Sequence, residues 1–111
     1  QMGGFGPILG QAHHFLHFNP GKSDYAEARF RSEVARLYGV LDRRLEGRDY
    51  ICDDYSIADM ACWPWVSRYE WQQVNLADYP NVRSWYQHLL ARDAVQKGYH
   101  IPKHMGEIPR G

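Results

Sequence analysis

Three histidines, His13, His14 and His17, fall within one short stretch of this chain. On a helix, His13 and His17 stand four residues apart and His14 and His17 three apart, spacings at which two imidazoles can share a metal ion. No carboxylate or thiolate lies in the same turn to complete a site, and the pattern lacks the glutamate that a zinc-protease helix needs. The trio reads as the polar edge of a cleft, supplying hydrogen bonds, and no metal is expected; a histidine metal site is the alternative. Arg29 is a second candidate, because a guanidinium grips a carboxylate through two parallel N–H bonds. Its helix carries several other exposed arginines, so the residues alone do not single it out. Cys52 and Cys62 lie ten apart without a CxxC spacing, which reads as a free thiol in a polar loop and a small core filler. The chain holds no Gly-rich phosphate loop, no recognisable Ser/His/Asp signature and no paired catalytic carboxylates.

Charge narrows the partners. Thirteen Lys plus Arg balance thirteen Asp plus Glu, so there is no general attraction to phosphate backbones or anionic membranes, and neither nucleic acid nor membrane is expected as a partner. Without a basic patch, the four tryptophans and eight tyrosines read as core and interface, not as base-stacking platforms. At 111 residues, 44% apolar, the chain has the size and composition of one globular domain. No apolar run approaches the ~20 residues of a membrane span, and the cysteine usage suggests no oxidising compartment; a cytoplasmic location is expected. Gln1 falls inside a helical pattern without a cap, and the chain reads as a fragment of a longer protein.

Helices must position these groups. Met2, Phe5, Leu9, Ala12 and Leu16 recur at helical spacing, predicting a helix over residues 1–18 despite four glycines and Pro7. Pro7 should kink it, and the glycines should allow close approach by a neighbour or ligand. Asn19-Pro20-Gly21 ends it. A second helix is predicted from Ser23 or Asp24 to Glu46, opened by a variant capping box of Asp24 and Glu27 and closed by Gly47. Its buried stripe would be Ala26, Phe30, Val34, Leu37, Tyr38, Leu41 and Leu45.

The sharpest local signal is Tyr55-Ser56-Ile57-Ala58-Asp59-Met60-Ala61-Cys62-Trp63-Pro64-Trp65. Ser56 and Asp59 form a capping box in which each side chain accepts a backbone N–H of the other's segment, and Asp59 adds negative charge at the positive helix end. The residues that follow leave no polar face, which predicts a helix buried on all sides, kinked at Pro64 and resuming through Trp71. Pro80 opens a further amphipathic helix through Leu90, and Asp93 caps a last turn closed by Gly98. The organisation read from this is an all-α bundle of about five helices over residues 1–98, with an extended tail over 99–111.

These residues carry a resemblance. The run Tyr55 to Trp65 resembles the capping box and core helix of the C-terminal helical domain of glutathione S-transferases. Gln1-Met-Gly-Gly-Phe-Gly-Pro-Ile-Leu-Gly-Gln-Ala-His-His-Phe15 resembles the first helix of that domain in the bacterial nu-class, disulfide-reductase-like branch. Tyr25-Ala26 through Arg29-Phe30, then Arg36-Leu37-Tyr38 and Val40-Leu41, resemble the second. The likeness covers nearly the whole chain.

The resemblance implies a dimeric, two-domain enzyme whose N-terminal thioredoxin-like domain, absent from this sequence, binds most of the co-substrate glutathione and activates its thiol. The thiolate then attacks a disulfide, a peroxide or an electrophilic carbon. This chain would contribute no catalytic residue. It would supply dimer contacts, a second-substrate wall of Met2, Phe5, His13, His14 and Phe15, and Arg29, which the branch implies reaches glutathione bound in the partner subunit. The alternative is a transferase-like helical domain used only for protein association.

Overall fold

The computed structural model describes all residues, 1–111, and contains five α-helices and no strand. They are α1 (Phe5–Ala12), α2 (Asp24–Leu45), α3 (Ile57–Val66), α4 (Pro80–Leu90) and α5 (Asp93–Tyr99). No helix is long and apolar enough to cross a membrane. The predicted stripe of α2 is inward, and Tyr38, Val34 and Leu45 meet Leu9 and Ala12 of α1, Trp63 and Val66 of α3, and Trp85 and Tyr86 of α4 in one core.

The first predicted helix is really two structures. α1 starts only at Phe5, so Pro7 occupies its first turn, where a backbone N–H has no intrahelical partner to lose; the expected kink is absent. The break comes later, where His13–Phe18 form a π-helical turn and the Asn19 N–H reaches back five residues to the His14 carbonyl at 2.9 Å. Close approach is confined to one glycine of this segment: a methyl group at Gly6 would come within 3.0 Å of the Gln1 side chain and 3.3 Å of its carbonyl oxygen, whereas at Gly10 it would meet the Trp65 ring at 3.7 Å, ordinary contact, and Gly3 faces open space.

α2 opens on Ser23, whose hydroxyl accepts the Ala26 N–H at 3.2 Å, while Glu27 turns outward to the Gly21 N–H at 3.1 Å. The serine, not the predicted Asp24–Glu27 pair, is therefore the cap. Gly47 closes the helix with a left-handed φ of 69°. α3 ends at Val66, two residues beyond Pro64, and Ser67–Gln73 continue as successive turns, so the predicted resumption through Trp71 does not occur. α5 begins after Arg92, carries Asp93 inside its first turn and runs through Gly98 to Tyr99. The tail then folds back: Ile108 packs on the core, Tyr86 donates to the Pro109 carbonyl at 2.6 Å, and the Gly111 N–H donates to the Tyr69 hydroxyl at 3.1 Å.

Two carboxylates tie the helices together. Asp42 of α2 accepts the Asn81 and Val82 N–H groups at 2.9 and 3.1 Å, capping α4 from a neighbouring helix and placing negative charge at its positive end. Asp59 does more than cap its own helix. Ser56 Oγ accepts the Ala58 N–H at 3.2 Å and Asp59 Oδ2 accepts the Ser56 N–H at 3.0 Å, while Oδ1 accepts the Ile51 N–H at 3.1 Å and the Trp85 indole N–H at 2.8 Å. Asp59 is 0% exposed, so these three donors are its solvation. The rest of α3 corrects the prediction of burial on all sides: Ile57 is 81% exposed and Met60 51%, with Ala61 and Pro64 on the same open face.

Removing the Asp59 carboxylate therefore orphans three donors at about 1–3 kcal/mol each where water cannot reach them. Asp59→Ala is predicted to cost clearly more than the ~1 kcal/mol of Ser56→Ala, a simple cap deletion. Urea unfolding of the two variants measures this, and equal losses would contradict the wider role of Asp59.

Candidate functional site

The edge formed by the π-turn and the N-terminal half of α2 gathers several of the candidate residues. The His14 ring meets Phe15 edge-on at 4.8 Å, Phe15 stacks on Phe30 at 5.6 Å with planes 9° apart, and the Arg29 guanidinium lies 5.7 Å from the Phe30 ring centroid. His14, Phe15, Phe30 and Arg29 thus form one continuous row across two elements. The π-turn makes this possible, because it advances the backbone by a wider turn than an α-helix and delivers Phe15 to Phe30. Phe30 was legible only as a member of the buried stripe; its neighbour Arg29 was the available clue to a second role.

Arg29 is exposed and has no hydrogen bond or ion pair within the chain. The carboxylate one helical turn along, Glu33, is taken by Arg36 through two contacts at 3.0 and 3.1 Å. That pairing, with the Arg29 charge as a smaller contribution, holds the Glu33 carboxyl below its usual range. The Arg29 fork has no ion-pair partner within the chain.

The other predicted wall residues do not join this row. Phe5 is buried against Tyr38 at 5.9 Å, so its ring belongs to the core; Met2 is 86% exposed before α1 begins. His13 is also turned inward, contrary to the expectation of a cleft edge. Its Nε2 lies 2.9 Å from Gln72 Nε2, which also donates to the Trp65 carbonyl at 2.8 Å, while Tyr38 donates to Gln72 Oε1. In this arrangement the amide donates to the imidazole, so the ring is neutral with its proton on Nδ1. Trp65 and Trp71 pack around it at 5.5 and 5.4 Å. Burial pushes His13 down to about 4, aided by the charges of His17 and Arg68. His17 instead stacks flat on Trp71 at 4.3 Å. Cys62 is buried, which pushes its thiol up and away from the reactive thiolate, and Cys52 is exposed.

The sequence matches the family described as "Glutathione S-transferase, C-terminal domain" over residues 5–93. The chain belongs to the glutathione S-transferase C-terminal domain family. It is 47% identical over 96 residues to the disulfide-bond oxidoreductase YfcG of Escherichia coli (strain K12), an alignment covering 86% of this chain and 45% of that protein. A glutathione transferase from Burkholderia graminis, solved with two glutathione molecules per subunit, superposes with a TM-score of 0.83 at 39% identity, covering 92% of this chain and 46% of that one. A transferase from Pseudomonas putida, solved with one glutathione disulfide per subunit, gives 0.81 at 40% identity, covering 91% and 47%. The chain spans about half the length of the curated relatives it matches. In this chain Ser56 and Asp59 are parts of the scaffold and His13 is turned into the interior.

The His13 environment sets a pH response. The unfolded chain takes up a proton near pH 6.5, whereas the folded chain resists until about pH 4, so this group's contribution to stability falls as pH drops through that window and levels off below it. His13→Gln should remove that component. The gap in unfolding free energy between the parent and this variant is predicted to narrow from pH 7 to pH 4.5, measured by urea titration; a gap independent of pH would contradict the buried neutral imidazole.

Proposed function

We propose that this chain is the helical half of a homodimeric, cytoplasmic glutathione-dependent disulfide reductase or transferase, and that Arg29 binds a carboxylate of glutathione held by the partner subunit. The carrying observation is the free guanidinium of Arg29, exposed on α2 and braced by the row Phe30, Phe15 and His14. Glutathione carries two carboxylates, and a charge-assisted pair orients the peptide without touching its sulfur. His14 and Phe15 stand beside Arg29 to line the path of the second substrate, a disulfide, peroxide or electrophile. The solved relatives that hold glutathione or its disulfide support this choice of ligand.

In this reading a thioredoxin-like N-terminal domain supplies the remaining glutathione contacts and activates the thiol. Cys62 is buried and the imidazole of His13 is held neutral inside the core, so neither is placed to take that role. The open apolar face of α3, with Ile57 and Met60, is suited to packing against such a domain.

In the full-length protein, Arg29→Ala is predicted to raise the glutathione dissociation constant about ten- to a hundredfold, the range expected for one charge-assisted contact, with the dimer and its thermal stability preserved. Calorimetric titration with glutathione tests this. Unchanged affinity would overturn the Arg29 assignment, and a stable dimer with no glutathione binding in the parent protein would favour a domain used only for association.

A further inference from the structure

We propose that Arg68, in the turns that follow α3, binds the carboxylate of a small ligand with an apolar body. Every other arginine of the chain is exposed, and Arg68 alone is half-buried. It is nevertheless without a hydrogen bond or an ion pair within the chain. Arg31, Arg36, Arg44 and Arg48, all more open to water, each reach an oxygen of the chain. Glu70, the acid nearest to Arg68 in sequence, is exposed and does not pair with it. A charge taken part-way out of water and given no acceptor is the reverse of what folding alone selects.

What holds this guanidinium is aromatic. Arg68 Cζ stands 4.6 Å from the Trp71 ring centroid and 5.3 Å from that of Tyr99, so the cation bridges a ring in the turns and a ring at the end of α5. Both rings are themselves braced. His17 of the π-turn stacks on Trp71 at 4.3 Å with planes 10° apart, Phe18 meets Trp71 edge-on at 5.4 Å, and Trp63 meets Tyr99 edge-on at 6.2 Å. The rings attract the charge and fix its position, but they supply no oxygen to its five N–H donors. A cation positioned in advance loses little freedom when a ligand arrives.

Charge and shape decide the ligand's class. An unpaired cation selects an anion, and one guanidinium balances one negative charge. A carboxylate meets its fork with two parallel N–H bonds. Trp71 and Tyr99 are half-buried, so each leaves part of its ring open beside the charge, where an apolar body can pack. Arg29 stands elsewhere, on α2 in the row with Phe30, Phe15 and His14, so the Arg68 site does not rest on the glutathione assignment.

The test titrates the full-length protein with 2-naphthoate and with 2-naphthamide, its uncharged counterpart of the same shape, following the Arg68 Nε–H resonance and the affinity by calorimetry. The carboxylate should bind about ten- to a hundredfold more tightly than the amide, the range of one charge-assisted contact, and it alone should shift the Arg68 signal at low concentration. Arg68→Gln should bring the carboxylate down to the affinity of the amide and leave the amide unchanged. The Arg68 resonance is read in the parent protein, so the test stands even where the variant fails to fold. Equal affinity for the two probes, an Arg68 signal that the carboxylate does not move, or a preference that survives in Arg68→Gln would each overturn the proposal. So would an Arg68 already paired with an acidic side chain from the rest of the full-length chain, seen as no binding of the carboxylate. No readout involves Arg29 or glutathione, so failure here leaves the proposed function standing, and the reverse holds.

Discussion

A single carboxylate with no access to solvent, that of Asp59, determines how three separate segments of this fold meet. A buried charge is tolerated only when donors replace its lost water. Here they come from the loop before α3, from the first residue of the capping box and from an indole on α4. Each fixes a different degree of freedom. The Ser56 contact starts α3, the Ile51 contact sets the path of the entering loop, and the Trp85 contact fixes the rotation of α4 against α3. Once Trp85 is placed, its neighbour Tyr86 lies flat on Trp63 at 5.1 Å and its carbonyl accepts the Trp63 indole N–H at 3.2 Å. Asp42 repeats the device between α2 and α4. The bundle is therefore joined by directional contacts at helix starts as well as by non-directional packing.

The row His14, Phe15, Phe30 and Arg29 lies at another edge, where Phe30 packs against the core and the exposed Arg29 guanidinium has no partner within the chain. The short segment before it combines both demands: α1 and the π-turn commit Leu9, Ala12, His13 and Leu16 to the interior, while the widened turn presents His14 and Phe15 outward. The residues that identify the family, Ser56 and Asp59, are thus distinct from the residue proposed to recognise glutathione.

What could be read from the sequence was what local rules decide. The stripe of α2, the Ser56–Asp59 box, Gly47 and Pro80 each depend on residues within one or two turns, and each stands where that reasoning puts it. Pro7 was misjudged because its effect depends on where the helix begins, and that is set by packing. His13 was misjudged because its inward direction depends on Gln72, 59 residues away, and on the two tryptophans around it. The open face of α3 reflects the same limit: hydrophobicity states that a surface is apolar, not what covers it. Asp42 lies outside the apolar stripe of α2, and only the spatial approach of α4 reveals its task. Arg29 was one arginine among several until the family likeness selected it, and its free guanidinium is a property of the folded neighbourhood.

The account places the structural centre at the Asp59 carboxylate, and native-state hydrogen exchange observes that centre directly. The Ile51 and Ser56 amides and the Trp85 indole N–H are predicted to exchange only through global unfolding, with a common free energy equal to that of the whole chain, and to lose protection together in Asp59→Asn. Exchange of these three protons at unrelated free energies, well below that of global unfolding, would contradict it.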